Sequence, residues 1–73
     1  MANGSEKDIK VFGQNLRAIR KSKNLSMEQL ANLAELEPVQ IHRIETGKTN
    51  PKLSTIYVLA KALEVSPKVL FNE

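Results

Sequence analysis

Apolar residues recur along this chain at helical rather than strand spacing, in a series of separate segments. Val11, Phe12, Leu16 and Ile19 stand one, four and three positions apart, which makes one stripe of a helix ending near Ser22 and leaves Lys10, Gln14, Arg17 and Lys21 on other faces. Ser26 opens the next segment. Its side chain is placed to accept the N–H of Gln29 while Gln29 reaches back, and Leu30, Ala31 and Ala34 follow, which predicts a helix over about 27–34. Pro38 then stands where a further helix has its first residue and a missing N–H costs nothing, so a helix over about 38–46 is expected, buried through Ile41 and Ile44. A fourth begins near Leu53, with Ile56, Leu59, Ala60 and Leu63 at i, i+3, i+4 and i+7. Ser66 caps a last short helix at Pro67, with Leu70 and Phe71 closing the core. No segment alternates with period two. The class expected is all-α, a compact five-helix domain.

Seventy-three residues suffice for one small domain near the lower size at which a core alone holds a fold. Met1 to Gly4 has no apolar periodicity, so residues 1–7 are read as a flexible arm, with Ser5 and Asp8 as candidate caps, and residues 8–73 as the domain. Asn24, after the first helix, suits a left-handed helix end. Leu33 falls between the buried stripe and a polar face, and two readings stay open for it: core, or a surface for a partner. Tyr57 is expected at the margin of its helix's buried face.

Charge adds modestly to this picture. Eleven Lys and Arg against eight Asp and Glu give a formal +3, weak evidence by itself for a polyanionic partner. The distribution says more, because Arg17, Arg20, Lys21 and Lys23 crowd the end of the first helix and Lys48 and Lys52 follow the third, beside the paired short helices. Catalysis has little to draw on. His42 is the one histidine, cysteine is absent, and Ser26 and Ser66 are spent as caps, so no nucleophile with its base can be assembled. One histidine among scattered carboxylates lacks zinc-ligand spacing, and the three glycines form no phosphate-cradling loop. Neither enzyme activity nor a cofactor or metal is expected. The N-terminus has no signal-peptide core and no apolar run reaches the length of a bilayer span, so a soluble cytoplasmic protein without membrane association is expected.

The third helix has an outward face. With ~100° per residue, Val39, His42, Arg43 and Thr46 point away from Ile41 and Ile44, and Gly47 offers the residue that ends the helix. Two short helices joined by a tight turn, the second carrying such a mixed face, make a helix-turn-helix. Arg43 has the fork of donors that bridges O6 and N7 of guanine, though a phosphate contact or a solvated cation fits it equally. Val39, apolar and exposed without a core reason, suits the methyl group of thymine, against incidental surface placement. Gln40 and His42 flank the same direction and can reach a base edge or a phosphate, a solvated surface being the alternative for His42.

These residues carry a resemblance. From Leu16 to Phe71 the chain reads LRAIRKSKNLSMEQLANLAELEPVQIHRIETGKTNPKLSTIYVLAKALEVSPKVLF, and its ordered series of Leu-Ala, Ile-x-Arg-Ile-Glu-x-Gly-Lys and Leu-Ala-Lys-Ala-Leu resembles the lambda-repressor and Cro type of DNA-binding domain, the xenobiotic-response-element (XRE) family. The resemblance implies a transcriptional regulator that binds double-stranded DNA sequence-specifically, with its recognition helix in the major groove. A protein-interaction module on the same scaffold, such as an antitoxin component, is the contrasting reading. Backbone contacts are implied at Ser26, Met27, Gln29, Thr46, Lys48, Thr49 and Asn50, and a structural ion pair between Arg20 and Glu45. The wheel places Glu45 nearer the core than the DNA face, as such a pair requires.

Several positions depart from the family pattern. Met27 stands where a phosphate-binding glutamine is frequent, Pro38 where a glutamine or asparagine often contacts a base, and Asn24 where glycine is common. Glu35 replaces a turn glycine, implying either a left-handed residue or a different turn, and Glu37 replaces a serine or threonine cap. One recognition helix reads only a few base pairs, so a homodimer on a two-fold site is expected. Related domains pair around their last two helices, where Tyr57, Val69 and Phe71 are candidates. With no oligomerisation segment after the fifth helix, a weak dimer completed on DNA is expected.

Overall fold

The computed structural model describes the backbone of residues 3–71 and the side chains of residues 6–71. Five helices follow one another: α1 (Asn3–Ser22), α2 (Met27–Ala34), α3 (Pro38–Glu45), α4 (Leu53–Leu63) and α5 (Pro67–Leu70). Helix α1 begins at Asn3, inside the 1–7 segment expected to be an arm; Met1 and Ala2 lie outside the described residues. The other boundaries fall within a residue of those expected, with Thr46 serving as the cap that follows α3.

Residues from every helix meet in one core. Leu16, Leu30, Ile41, Leu59, Leu63 and Leu70 are fully enclosed, and Phe12, Ala31, Ala34, Ile44 and Ala60 complete the cluster. Helix α1 packs on α3 and α5, while α2 packs on α3 and α4, so α3 is clamped between two neighbours and keeps one side open. Asn15 ties the ends of the chain together, its Nδ2 donating to the Leu70 carbonyl at 3.1 Å.

Two expected core positions are corrected. Val11 is 39% exposed, because the buried face of α1 runs through Phe12, Gly13, Leu16 and Arg20 and leaves the residue before Phe12 about a quarter-turn outside it. Phe71 is 46% exposed. Leu70 alone plugs the core from α5, and the Phe71 ring instead lies over Phe12, centroids 5.1 Å apart and planes tilted by 48°. Tyr57, expected at the margin of its helix's buried face, is 56% exposed. Leu33, for which both readings stood open, is 58% exposed.

Helices α1 to α4 all end in the same way. The residues after each turn left-handed, Asn24 (φ 60°), Glu35 (φ 57°), Gly47 (φ 73°) and Glu64 (φ 59°), and the next N–H returns to the carbonyl five residues back: Leu25 to Arg20, Leu36 to Ala31, Lys48 to Arg43 and Val65 to Ala60. Leu25, Leu36 and Val65 then pack on the core, while Lys48 stays exposed. Glu35 is therefore left-handed, and the alternative of a different turn is excluded. A residue with a Cβ is strained there, and a carboxylate at a helix C-terminus opposes the dipole. Glu35→Gly is expected to stabilise the fold by about 1 kcal/mol, raising the thermal midpoint by roughly 4–8 °C. An unchanged or lowered midpoint in a thermal melt would contradict the left-handed assignment.

Candidate nucleic-acid interface

Helix α2 starts with its capping box formed. Ser26 Oγ accepts the Gln29 N–H at 3.0 Å, and Gln29 Oε1 accepts the Ser26 N–H at 2.8 Å. Each of these oxygens accepts one N–H, and each side chain keeps a donor to offer outward: the Ser26 hydroxyl proton and the Gln29 amide NH2. Met27 differs from the other expected backbone contacts. Its side chain packs against the core, and what it can offer a partner is a main-chain N–H in the first turn of α2.

Helix α3 repeats half of this arrangement. Gln40 Oε1 accepts the Glu37 N–H at 2.9 Å, and the Gln40 N–H goes to the Glu37 carbonyl, also at 2.9 Å. Gln40, like Gln29, thus keeps its NH2 free. Val39 is half exposed, at 50%, and His42 and Arg43 are exposed on the same open side of α3. Thr46 is committed locally: its hydroxyl donates to the His42 carbonyl at 2.8 Å, so a phosphate there competes for that proton. The loop after α3 curls back toward α4 and leaves a concavity lined by Gln40, Arg43, Thr49, Asn50, Lys52 and Thr55. It brings one expected base-reader pair, Gln40 and Arg43, together with two expected backbone contacts, Thr49 and Asn50. Val39, His42, Lys48 and the start of α2 lie outside that concavity.

What fixes α3 in place is a buried ion pair. Arg20 Nε donates to Glu45 Oε2 at 2.6 Å and Nη2 to Oε1 at 2.9 Å, a two-pronged contact between residues each only 6% exposed. The remaining fork nitrogen, Nη1, donates to the Leu25 carbonyl at 2.7 Å, so one guanidinium joins α1, the turn before α2 and the end of α3. The hydrogen bond to Glu45 holds the Arg20 pKa above its ordinary value; burial opposes it and the carboxylate's charge adds to it. No buried side-chain polar atom among the described residues lacks a partner.

Two glycines complete the seating, and the expected site residues did not include them. At Gly13 a Cβ would lie 2.2 Å from the Ile44 carbonyl oxygen and 2.9 Å from that of Glu45, so α1 meets the backbone of α3 with no side chain between. At Gly47 it would lie 2.7 Å from Lys10 Cγ, on a left-handed backbone. A lone glycine inside a helical pattern was the available signal at Gly13.

The surface so assembled presents amide, hydroxyl, guanidinium and ammonium donors around one apolar group, which is chemistry for reading a base edge beside a phosphate chain. Among the described residues no group of three or more His, Cys, Asp or Glu is placed to hold a metal, and no helix is long and apolar enough to cross a membrane.

Comparison with known proteins agrees with this chemistry. A family model described as helix-turn-helix, HTH_3, matches residues 16–70. The control protein C.SmaI of Serratia marcescens is 45% identical over 68 residues, covering 90% of this chain and 81% of that protein. The transcriptional repressor RghR of Bacillus subtilis is 44% identical over 55 residues, but they make up 74% of this chain and 41% of RghR. Among solved structures, the restriction-modification controller protein C.AhdI from Aeromonas hydrophila superposes with a TM-score of 0.86 at 41% identity, over 88% of this chain and 97% of that one.

Proposed function

The chain belongs to the HTH_3 helix-turn-helix family, and on that premise we propose how this regulator reads its DNA and what it controls. It is a DNA-binding transcriptional regulator of all-α, five-helix architecture, and not an enzyme. In the proposed complex α3 enters the major groove, Arg43 bridges a guanine, Val39 meets a thymine methyl, and Gln40 and His42 contact neighbouring edges. Ser26, Gln29, Lys48, Thr49 and Asn50 hold the phosphates, with Met27 and Thr46 contributing through main-chain and competed groups respectively. The observation that carries this reading is the open side of α3, polar except for Val39 and clamped from behind by the Arg20–Glu45 pair.

Arg43→Ala is expected to lose about 1–3 kcal/mol on the preferred duplex and to relax preference at one or two base pairs. Lys48→Ala instead weakens all sequences alike and lowers the salt slope by about one. Fluorescence anisotropy on matched and scrambled duplexes separates the two. Equal loss by Arg43→Ala on both duplexes would reassign Arg43 to the DNA backbone.

Two copies bind together in this proposal, on half-sites about one helical turn, ~34 Å, apart. Tyr57, Val69 and Phe71 are exposed near α4 and α5 and supply a small two-fold contact, too slight for a permanent dimer. The role proposed is control of restriction-modification genes, because the likeness to C.SmaI and C.AhdI runs through most of the length of both. The preferred site is then expected in front of a methyltransferase or endonuclease gene, and its occurrence only elsewhere in the source genome would contradict that role.

A further inference from the structure

A second concave surface lies between α2 and α4. Its apolar floor is Leu33, Ala34, Val58 and Ala62, and it shares no lining residue with the concavity beside α3. Leu33 is the most exposed part of this floor, and an exposed leucine between two packed helices adds nothing to the core that α2 and α4 already form through Leu30, Ala31, Leu59 and Leu63.

The mouth of the groove is built against the interest of the fold. Glu35 and Glu64 both line it, and both are the left-handed residues that end α2 and α4. Each position favours glycine or asparagine on backbone grounds and disfavours an anion on electrostatic grounds, since it adjoins the negative end of a helix dipole. No basic residue in the last turn of α2 offsets this. Two departures from local preference converge on one groove, and among the described residues neither carboxylate has a hydrogen bond or ion pair, although Lys61 stands in the last turn of α4. Among the described lining residues two carboxylates stand against one ammonium, that of Lys61, and two helix C-termini add to the negative side. In a chain of formal charge +3 this is a local reversal of sign, and it repels DNA.

We propose that the α2–α4 groove is a docking site for a cationic amphipathic helix of another protein, its apolar stripe laid on Leu33, Val58 and Ala62 and its Lys or Arg side chains held by Glu35 and Glu64. Charge complementarity selects that occupant over an acidic or neutral segment. Because the groove lies apart from the surface beside α3, the partner helix and DNA bind together, which makes the regulator a bridge between a DNA site and a second protein.

The test is a titration of the 15N-labelled full chain with the peptide KLAKLAKKLAKLAK, beside its glutamate counterpart ELAELAEELAELAE. The lysine peptide is expected to shift the amides of Leu33, Val58 and Ala62 and the glutamate peptide to leave them in place. Glu35→Gln/Glu64→Gln, which keeps the side-chain shape and removes two anions from helix C-termini, remains folded and is expected to bind the lysine peptide at least tenfold more weakly, and Leu33→Gln likewise. Equal response to both peptides, shifts confined to other surfaces, or undiminished binding by the double variant would overturn the proposal. So would shifts at these amides on concentrating the chain alone, which would assign the groove to a second copy.

Discussion

Arg20→Met is expected to cost about 3–5 kcal/mol, because it leaves the Glu45 carboxylate buried without a partner. That is a large share of the roughly 4–11 kcal/mol that a domain of this length commands. The Glu45 side chain is 1% exposed and has no water to turn to. Removing both charges together, as Arg20→Met/Glu45→Met, is expected to restore all but about 1 kcal/mol, the residue reflecting the Leu25 carbonyl that loses its donor. Urea unfolding of the single and double variants measures this directly. If Arg20→Met cost less than about 1 kcal/mol, as loss of an exposed pair would, the clamp on α3 would not exist.

Gly13→Ala is expected to be the other severe change. Alanine inside a helix is ordinarily better than glycine by about 1 kcal/mol, so local propensity alone predicts stabilisation. Here the new Cβ would sit 2.2 Å from the Ile44 oxygen, and the obstacle is backbone rather than a side chain that can turn aside. Helix α3 must move away from α1, at a net cost of about 2–3 kcal/mol, and DNA affinity should fall on every sequence because the whole reading face shifts. Gln14→Ala, one residue along on an exposed position, is the control and should be near neutral. A thermal melt in which Gly13→Ala gains stability would place α1 farther from α3 than the structure has it.

These two positions mark the limit of what the sequence discloses. The cap of α2 is local information: Ser26 and Gln29 are three residues apart, and their reciprocal bonds follow from type and spacing. Asn24 is legible for the same reason. The shared ending of four helices is legible in retrospect, since an apolar residue follows the left-handed one at Leu25, Leu36 and Val65. Val11 misled because period alone does not say which edge of an apolar stripe faces inward; Gly13 settles that by letting α3 approach the other side. Phe71 misled because two adjacent apolar residues do not show which of them plugs the core. Close approach depends on what lies opposite, which no window of sequence contains. The Arg20–Glu45 pair joins residues 25 apart, and only the family resemblance pointed to it. The Gln40 amide likewise offers itself in sequence to a base edge or a phosphate, and its bond to the Glu37 N–H, which also caps α3, is seen only in the structure.

The central claim is that α3 reads duplex DNA, and selection from a pool of random duplexes at low salt tests it most directly. The enriched site is expected to be two-fold symmetric and to take two copies of the chain at saturation. Its log K is expected to fall linearly with log salt by about 0.9 for each phosphate neutralised. A protein-interaction module that merely kept this scaffold would retain no duplex above background, or would bind with an affinity nearly indifferent to salt, and either result would contradict the account.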